Sequence, residues 1–291
     1  MKRAVRIGFI DAIISSISYG LYPLFAILLY NTGSSVSNSL FYRYLFAFLI
    51  YLYILKVHKK INLSVTVKEF VILFFVGISF AVSSIALFAA LKYIDSGIAC
   101  TIVFVYPVIV ALIMTLFFHE KLTKTTVISI ACAFLGVALL NYAGGMSTGG
   151  KFLGFLFSVC GAITYAFYMI LVKKVKSIKY MQPEKVTFYV MLSGTVFYLV
   201  CLRFGLDFQL LTRPNQWIYV LCLAVIPTIV AIETVNVAIK LIGATKTSIV
   251  GALEPLTAII VGFLVFGEQL SLFNAVGFLL VITGIFLVVK K

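Results

Sequence analysis

Charge is what this sequence has least of. Only 11% of its 291 residues are charged, and nine of those are acidic; a soluble domain carries roughly a quarter charged residues. With 63% hydrophobic side chains and the shortage spread along the whole chain, there is too little polar surface to cover a water-soluble globule. That excludes a soluble enzyme held by one anchor helix. Histidine is scarce too: His58 and His119 are the only two, both lie in or beside connectors, and no Cys, His or carboxylate cluster has metal-ligand spacing. No metal site is expected. The five cysteines, Cys100, Cys132, Cys160, Cys201 and Cys222, sit singly in apolar runs and read as reduced, buried hydrophobes. A Gly-rich phosphate loop is missing, as is any soluble segment to hold a nucleotide. No cofactor is expected, and any transport the protein carries out should depend on a gradient or run as facilitated diffusion.

What is present is a series of long apolar runs. Crossing a hydrocarbon core takes about 20 residues of helix, and ten runs qualify, at approximately residues 7–30, 36–55, 70–91, 98–118, 125–142, 152–172, 186–204, 217–239, 247–266 and 272–289. They are apolar all round, whereas membrane strands would be shorter and alternate. The expected fold is therefore all-α and integral to the membrane. The connectors between runs are short and carry turn residues, as at Asn31-Thr32-Gly33-Ser34 and at 144–150. A secretory signal peptide is rejected for the first run, which is too long, is interrupted by Asp11 and is soon followed by a second span.

The formal net charge of +14 would point to nucleic acid in a soluble protein, but here its placement matters more. Lys2, Arg3 and Arg6, then Lys56, Lys59, Lys60 and Lys68, then Lys121 and Lys124, then Lys173 to Lys185, then Lys240, Lys246, Lys290 and Lys291 all fall on one side if the runs alternate. Lys92, Lys151, Arg203 and Arg213 fall on the other, and Arg43 stays inside a span. The bias is an orientation signal that predicts a multi-pass bacterial plasma-membrane protein with both termini in the cytoplasm, and no nucleic-acid partner. Trp217, the only tryptophan, is expected at the outer interface.

A shift of about 148 residues superposes Ala90-Leu91-Lys92-Tyr93-Ile94 on Ala238-Ile239-Lys240-Leu241-Ile242, Pro107 on Pro255, and Phe118-His119-Glu120-Lys121-Leu122-Thr123 on Phe266-Gly267-Glu268-Gln269-Leu270-Ser271. Two halves, residues 1–145 and 146–291, each hold five spans. An odd number makes the second half enter the membrane from the opposite side, an inverted-topology repeat of the kind that builds secondary transporters.

Phe41-Tyr42-Arg43-Tyr44, the central proline of the fourth span leading into Phe118-His119-Glu120-Lys121-Leu122-Thr123, and Leu253-Glu254-Pro255 through Gly267-Glu268-Gln269-Leu270-Ser271 resemble the EamA-type branch of the drug/metabolite transporter superfamily over nearly the whole chain. The resemblance implies ten helices in two inverted halves, a central cavity lined by the first four helices of each half, and peripheral fifth and tenth helices. It implies transport, mostly export, of small metabolites.

An ionised carboxylate within a span costs a few kcal/mol, so each is a functional hypothesis. Glu254 precedes Pro255, which removes a donor and frees the Gly251 carbonyl; its repeat partner is Tyr106, before Pro107. The alternatives for Glu254 are a cavity or coupling role and a fixed contact, with Arg43 a candidate partner. Glu233 has Asn236 on nearly the same face and Lys240 a turn further; it serves either a cationic solute or proton, or an internal pair with Lys240 or Lys246. Asp11 lies near the interface within reach of Arg3 or Arg6. Arg43 should face the bundle, as a structural or gating contact or as a ligand for a substrate carboxylate. Tyr19 and Tyr22, and Tyr165 and Tyr168, occupy matching places in the two halves, and their rings and hydroxyls suit cations or aromatic solutes. Glu120 and Glu268 read as end-fixing groups, Thr123 and Ser271 as N-caps. Gly136, Gly277 and Gly284, with Ser129, form a small-residue face for close packing within the protomer or for a homodimer.

These readings converge on an alternating-access secondary transporter that exports a small polar metabolite such as an amino acid or amine, with protons as the candidate coupling ion. An uptake permease for a cofactor-like or nucleotide-derived solute is the alternative within the fold. An intramembrane enzyme would need a nucleophile, base and acid at membrane depth, and no such set is present.

Overall fold

Segments that are apolar on every side leave the backbone one way to satisfy its polar groups in lipid, the helix. The computed structural model describes residues 2–90, 93, 99, 102–140, 151–266 and 272–290, and among them there is no strand. Eight helical segments are long and apolar enough to span a membrane, and two shorter apolar helices stand where the fourth and fifth spans are expected. Lys92, Cys100, Glu268, Ser271, the connector at 144–150 and the boundary between the halves lie outside the described residues.

In chain order the first span is α1 (Lys2–Gly20) with α2 (Tyr22–Tyr30), the second α3 (Val36–Tyr53), which runs into a π-helical turn at Ile54–His58, and the third α4 (Val67–Ala90). The fourth contains α5 (Tyr106–Leu116) and the fifth is α6 (Lys124–Leu140). The sixth is α7 (Lys151–Lys174), followed by a short α8 (Lys176–Lys179), and the seventh is α9 (Pro183–Cys201). The eighth joins α10 (Pro214–Ala224) to α11 (Ala231–Ile242) through a π-helical turn at Val225–Val230; the ninth joins α12 (Ala244–Val250) to α13 (Leu253–Phe266); the tenth is α14 (Leu272–Val289).

Proline explains most starts and breaks. Pro23, Pro107, Pro183 and Pro214 stand in the first turns of α2, α5, α9 and α10, where the missing N–H would have had no partner anyway. The seventh and eighth helices therefore begin earlier than their apolar windows, because a proline start tolerates polar residues that hydropathy counts against a span. Pro227 instead falls inside a helix, where it would orphan the carbonyl of Leu223. The Thr228 hydroxyl donates to that carbonyl at 2.7 Å, and the turn widens to a π-helix. At Pro255 the freed Gly251 carbonyl is taken by the Glu254 N–H at 2.9 Å. Thr123 caps α6 as expected, its hydroxyl accepting from the Thr126 N–H.

Packing has two-fold character. The first span packs on the eighth as the sixth does on the third, the first on the ninth as the sixth on the fourth, and the second on the eighth as the seventh on the third. Second with seventh, fourth with ninth and fifth with tenth are pairs that map onto themselves when each span is exchanged for the one five places on. The glycine face belongs to this last pair. A Cβ on Gly136 would lie 2.8 Å from the Gly277 carbonyl, and one on Gly284 2.8 Å from the Ser129 carbonyl. The small residues thus serve contact between α6 and α14 within the protomer, and the pairing of 136 with 277 and 129 with 284 makes the two helices antiparallel. Gly136→Leu is expected to force them apart and cost about 1–3 kcal/mol, read as a lowered melting temperature in detergent; an unchanged melt would show that the helices do not rely on this approach.

The connectors sort onto two faces. Lys185 donates to the Ser64 carbonyl, Lys173 to the Lys240 carbonyl, Lys240 to the Met181 carbonyl, and the Lys174 ammonium lies 4.6 Å from the Phe118 ring centre. Connectors two to three, four to five, six to seven and eight to nine are thereby gathered together. Gly8 packs on Leu241 and Ile242, and the antiparallel α14 returns to the start of α6, so both chain ends lie on this same termini face. On the opposite face Gln209 meets Ser35 and Asn38, and Gln216 donates to Thr32. Trp217 belongs to that side, its ring tilted against Phe46 with centres 5.6 Å apart.

Candidate functional site

The breaks in the first, fourth and ninth spans meet at one place. There the first span contributes Tyr19, Gly20, Tyr22 and Pro23, the third Ser83 and Ser84, the fourth Phe104 and Tyr106, the sixth Tyr165, and the ninth Glu254 and Pro255 to the wall of a cavity of about 100 Å³. Gly20 is required by close approach: a Cβ there would lie 2.6 Å from the Glu254 carbonyl and from Thr257. The absent side chain lets the broken first span touch the broken ninth.

Five aromatic rings, those of Tyr19, Tyr22, Phe104, Tyr106 and Tyr165, stand in the wall. Tyr165 meets Tyr106 edge to face at 4.7 Å, Phe104 meets Tyr106 at 5.4 Å, and Tyr19 stacks on Tyr22 at 6.1 Å. Tyr106 is anchored by donating to the Ser248 carbonyl at 3.3 Å. Glu254 is the one ionisable carboxylate in this lining. Among the described residues its side chain has no hydrogen-bond or ion-pair partner. A lone carboxylate among ring faces attracts cations twice over, by charge and by the quadrupole of the rings.

Arg43 is not the partner of Glu254. Its side chain is 1% exposed, its Nε donates to the Thr228 hydroxyl at 2.5 Å and its Nη2 to the Pro227 carbonyl at 2.8 Å. The guanidinium thus pins the π-helical turn of the eighth span to the second, while Nη1 has no partner. Its carbon sits 4.5 Å from the Tyr22 ring centre and 5.6 Å from those of Tyr19 and Tyr44. Arg43 therefore stands behind the cavity wall, supporting two of its tyrosines, and does not itself line the cavity.

The remaining candidates lie elsewhere. Tyr168 is fully buried and donates to the Asn236 side-chain oxygen at 2.8 Å, while the Asn236 amide donates to Thr187 at 2.9 Å. The three residues form a closed network between the sixth, seventh and eighth spans, with no share in the cavity lining. Glu233 is not paired with Lys240 or Lys246: it meets the Lys59 ammonium at 2.7 Å near the termini face, because Lys240 is turned to the Met181 carbonyl. Asp11 has no ion pair with Arg3 or Arg6 among the described residues and is electrostatically coupled to Glu233. Lys59, Glu184, Thr228, Pro227, Gln209 and Asn38 were not singled out by sequence reasoning. Pro227-Thr228 in mid-span carried a usable signal, since a helix-interior proline beside a hydroxyl can reseal its own orphaned carbonyl.

An all-helical bundle of apolar spans, two-fold packing pairs and an interior cavity walled by broken helices from both halves define a membrane transporter. The chain belongs to the EamA-like transporter family, whose model matches it twice, over residues 6–142 and 152–290. It is 25% identical over 198 residues, 68% of either chain, to an uncharacterized transporter of Archaeoglobus fulgidus. It is 28% identical over 236 residues, 78% of this chain and 74% of the other, to the uncharacterized transporter YyaM of Bacillus subtilis. A solved structure titled "Crystal structure of protein" superposes with a TM-score of 0.79 at 16% identity, covering 98% of this chain and 97% of that one; the likeness is one of fold.

Proposed function

We propose that the protein is a gradient-driven secondary transporter that exports a small polar metabolite bearing an amine, an amino acid or a simple amine, by alternating access around the cavity at Glu254. The observation that carries this reading is the unpartnered Glu254 carboxylate among Tyr19, Tyr22, Tyr106 and Tyr165. A site built this way needs a cation to complete it, and that cation is either the solute's ammonium or a proton in exchange for it. The volume of about 100 Å³ corresponds to roughly three waters at the ~30 Å³ each takes in the liquid, which suits a small solute. The bias of basic residues toward the termini face supports a cytoplasmic orientation of that face in a bacterial plasma membrane. Halves of residues 1–145 and 146–291 are the units that would rock.

The test is flux into proteoliposomes of the purified protein, screened across amino acids, amines, nucleosides and cofactors under an imposed proton gradient. Saturable, gradient-dependent movement of an amine-bearing solute is expected. Unitary ionic currents in a planar bilayer, or movement of nucleosides alone, would overturn it.

A further inference from the structure

Among the contacts that join the half carrying the first family match to the half carrying the second, two stand at corresponding positions on opposite faces. On the termini face Lys59, in the connector after the second span, meets Glu233 at 2.7 Å and Glu184, at the start of the seventh span, at 3.5 Å. On the other face Gln209, in the connector after the seventh span, meets Asn38 at the start of the second. Its N–H donates to the Asn38 side-chain oxygen at 3.1 Å, its carbonyl accepts from the Asn38 amide at 2.9 Å, and its side-chain oxygen accepts from the Ser35 N–H at 2.9 Å. Exchanging the second and seventh spans turns one tie into the other. At the repeat offset of about 148, Lys59 corresponds to 207 and Glu184 to 36, each within two residues of the opposite tie.

The positions match and the chemistry does not. One tie is an ion pair with half-exposed partners, Lys59 at 37% and the two glutamates at 25% and 24%; the other is a set of neutral hydrogen bonds around a buried Asn38. Neither Lys185 nor Lys240 is ion-paired with these glutamates among the described residues; both donate to backbone carbonyls. Partial burial pulls the Lys59 pKa down, but the hydrogen bond and charge of Glu233 and the charge of Glu184 outweigh it and hold it above its ordinary value, so the bolt stays charged.

We propose that these ties are opposed gates, an ionic gate of Lys59 with Glu184 and Glu233 on the termini face and an amide gate of Gln209 with Asn38 on the other, each releasing for the cavity to open to its own side. The inference rests on the alternating-access reading. Its consequence is asymmetry, because ions screen an exposed ion pair and leave neutral hydrogen bonds almost untouched. Opening toward the termini face is therefore sensitive to ionic strength, and opening toward the other face is not.

The experiment places a reporter thiol on the cavity wall, Ser84→Cys, in a background lacking the five native cysteines, and measures its labelling by an impermeant maleimide from each side of oriented proteoliposomes. Lys59→Gln is expected to raise labelling from the termini face at least threefold with no change from the other side; Asn38→Ala is expected to do the reverse. Raising the salt concentration on the otherwise unmodified reporter protein should reproduce the Lys59→Gln effect, so a variant that folds poorly does not decide the matter. Insensitivity to both Lys59→Gln and salt, or an equal rise from both sides, overturns the gates. Labelling that shifts as expected without flux of any screened solute leaves the gates standing and removes the proposed amine-bearing substrate; flux with insensitive labelling does the opposite.

Discussion

Glu254→Gln is expected to reduce gradient-driven flux by about 100-fold while the protein remains folded and inserted. The substitution keeps the volume and the helix break at Pro255 and removes only the charge and the exchangeable proton. Because no neighbouring group among the described residues uses the carboxylate, nothing structural is lost with it, and stability should stay the same or rise as a desolvated charge disappears. A fall of 100-fold corresponds to about 2.7 kcal/mol, the size of one charge-assisted interaction made inside a protein. If Glu254 exchanges its proton for the solute, solute-for-solute exchange should survive in the variant while net gradient-driven movement does not. If it binds the ammonium directly, both should fall together. Full gradient-driven activity in Glu254→Gln would remove the residue from the mechanism.

Arg43→Ala is the second large effect, and it should appear first as instability. Truncation leaves the Pro227 carbonyl without its donor, opens a void between the second and eighth spans, and withdraws the cation from the faces of Tyr19, Tyr22 and Tyr44. Losing a buried hydrogen-bonded group of this kind costs about 3–5 kcal/mol, and the melting temperature in detergent should drop by roughly 10 °C. Arg43→Lys keeps the charge but cannot reach both Thr228 and Pro227 with a fixed fork of donors, so it should recover only part of the loss. Thr228→Val provides the cross-check: it removes the acceptor of the Arg43 Nε and the donor to the Leu223 carbonyl together, and should be nearly as damaging. An Arg43→Ala protein that melts with the native one would show that the π-helical turn holds without its pin.

The site was partly legible in the sequence, and the parts that were not share a reason. Glu254, Tyr106, Tyr19, Tyr22 and Tyr165, together with Pro255, all line the cavity, and each was found because it is a polar, aromatic or helix-breaking residue at span depth. Spacing cannot choose partners. Glu233 and Asn236, three residues apart, point to different neighbours, Lys59 for one and Tyr168 with Thr187 for the other. Arg43 and Glu254, the obvious opposite charges, do not meet.

Hydropathy, charge and the likeness of one half of the sequence to the other are read along the chain, and they determined by themselves that this protein lies in a membrane, is helical, repeats its plan in two halves and gathers its basic connectors on one face. Helices apolar on every side, however, have no amphipathic stripe to show which residues turn inward. The rotation and approach of each span, and so the meeting of Arg43 with a π-helical turn, of Lys59 with two glutamates and of an unpartnered Glu254 with four tyrosines, were decided only by tertiary packing.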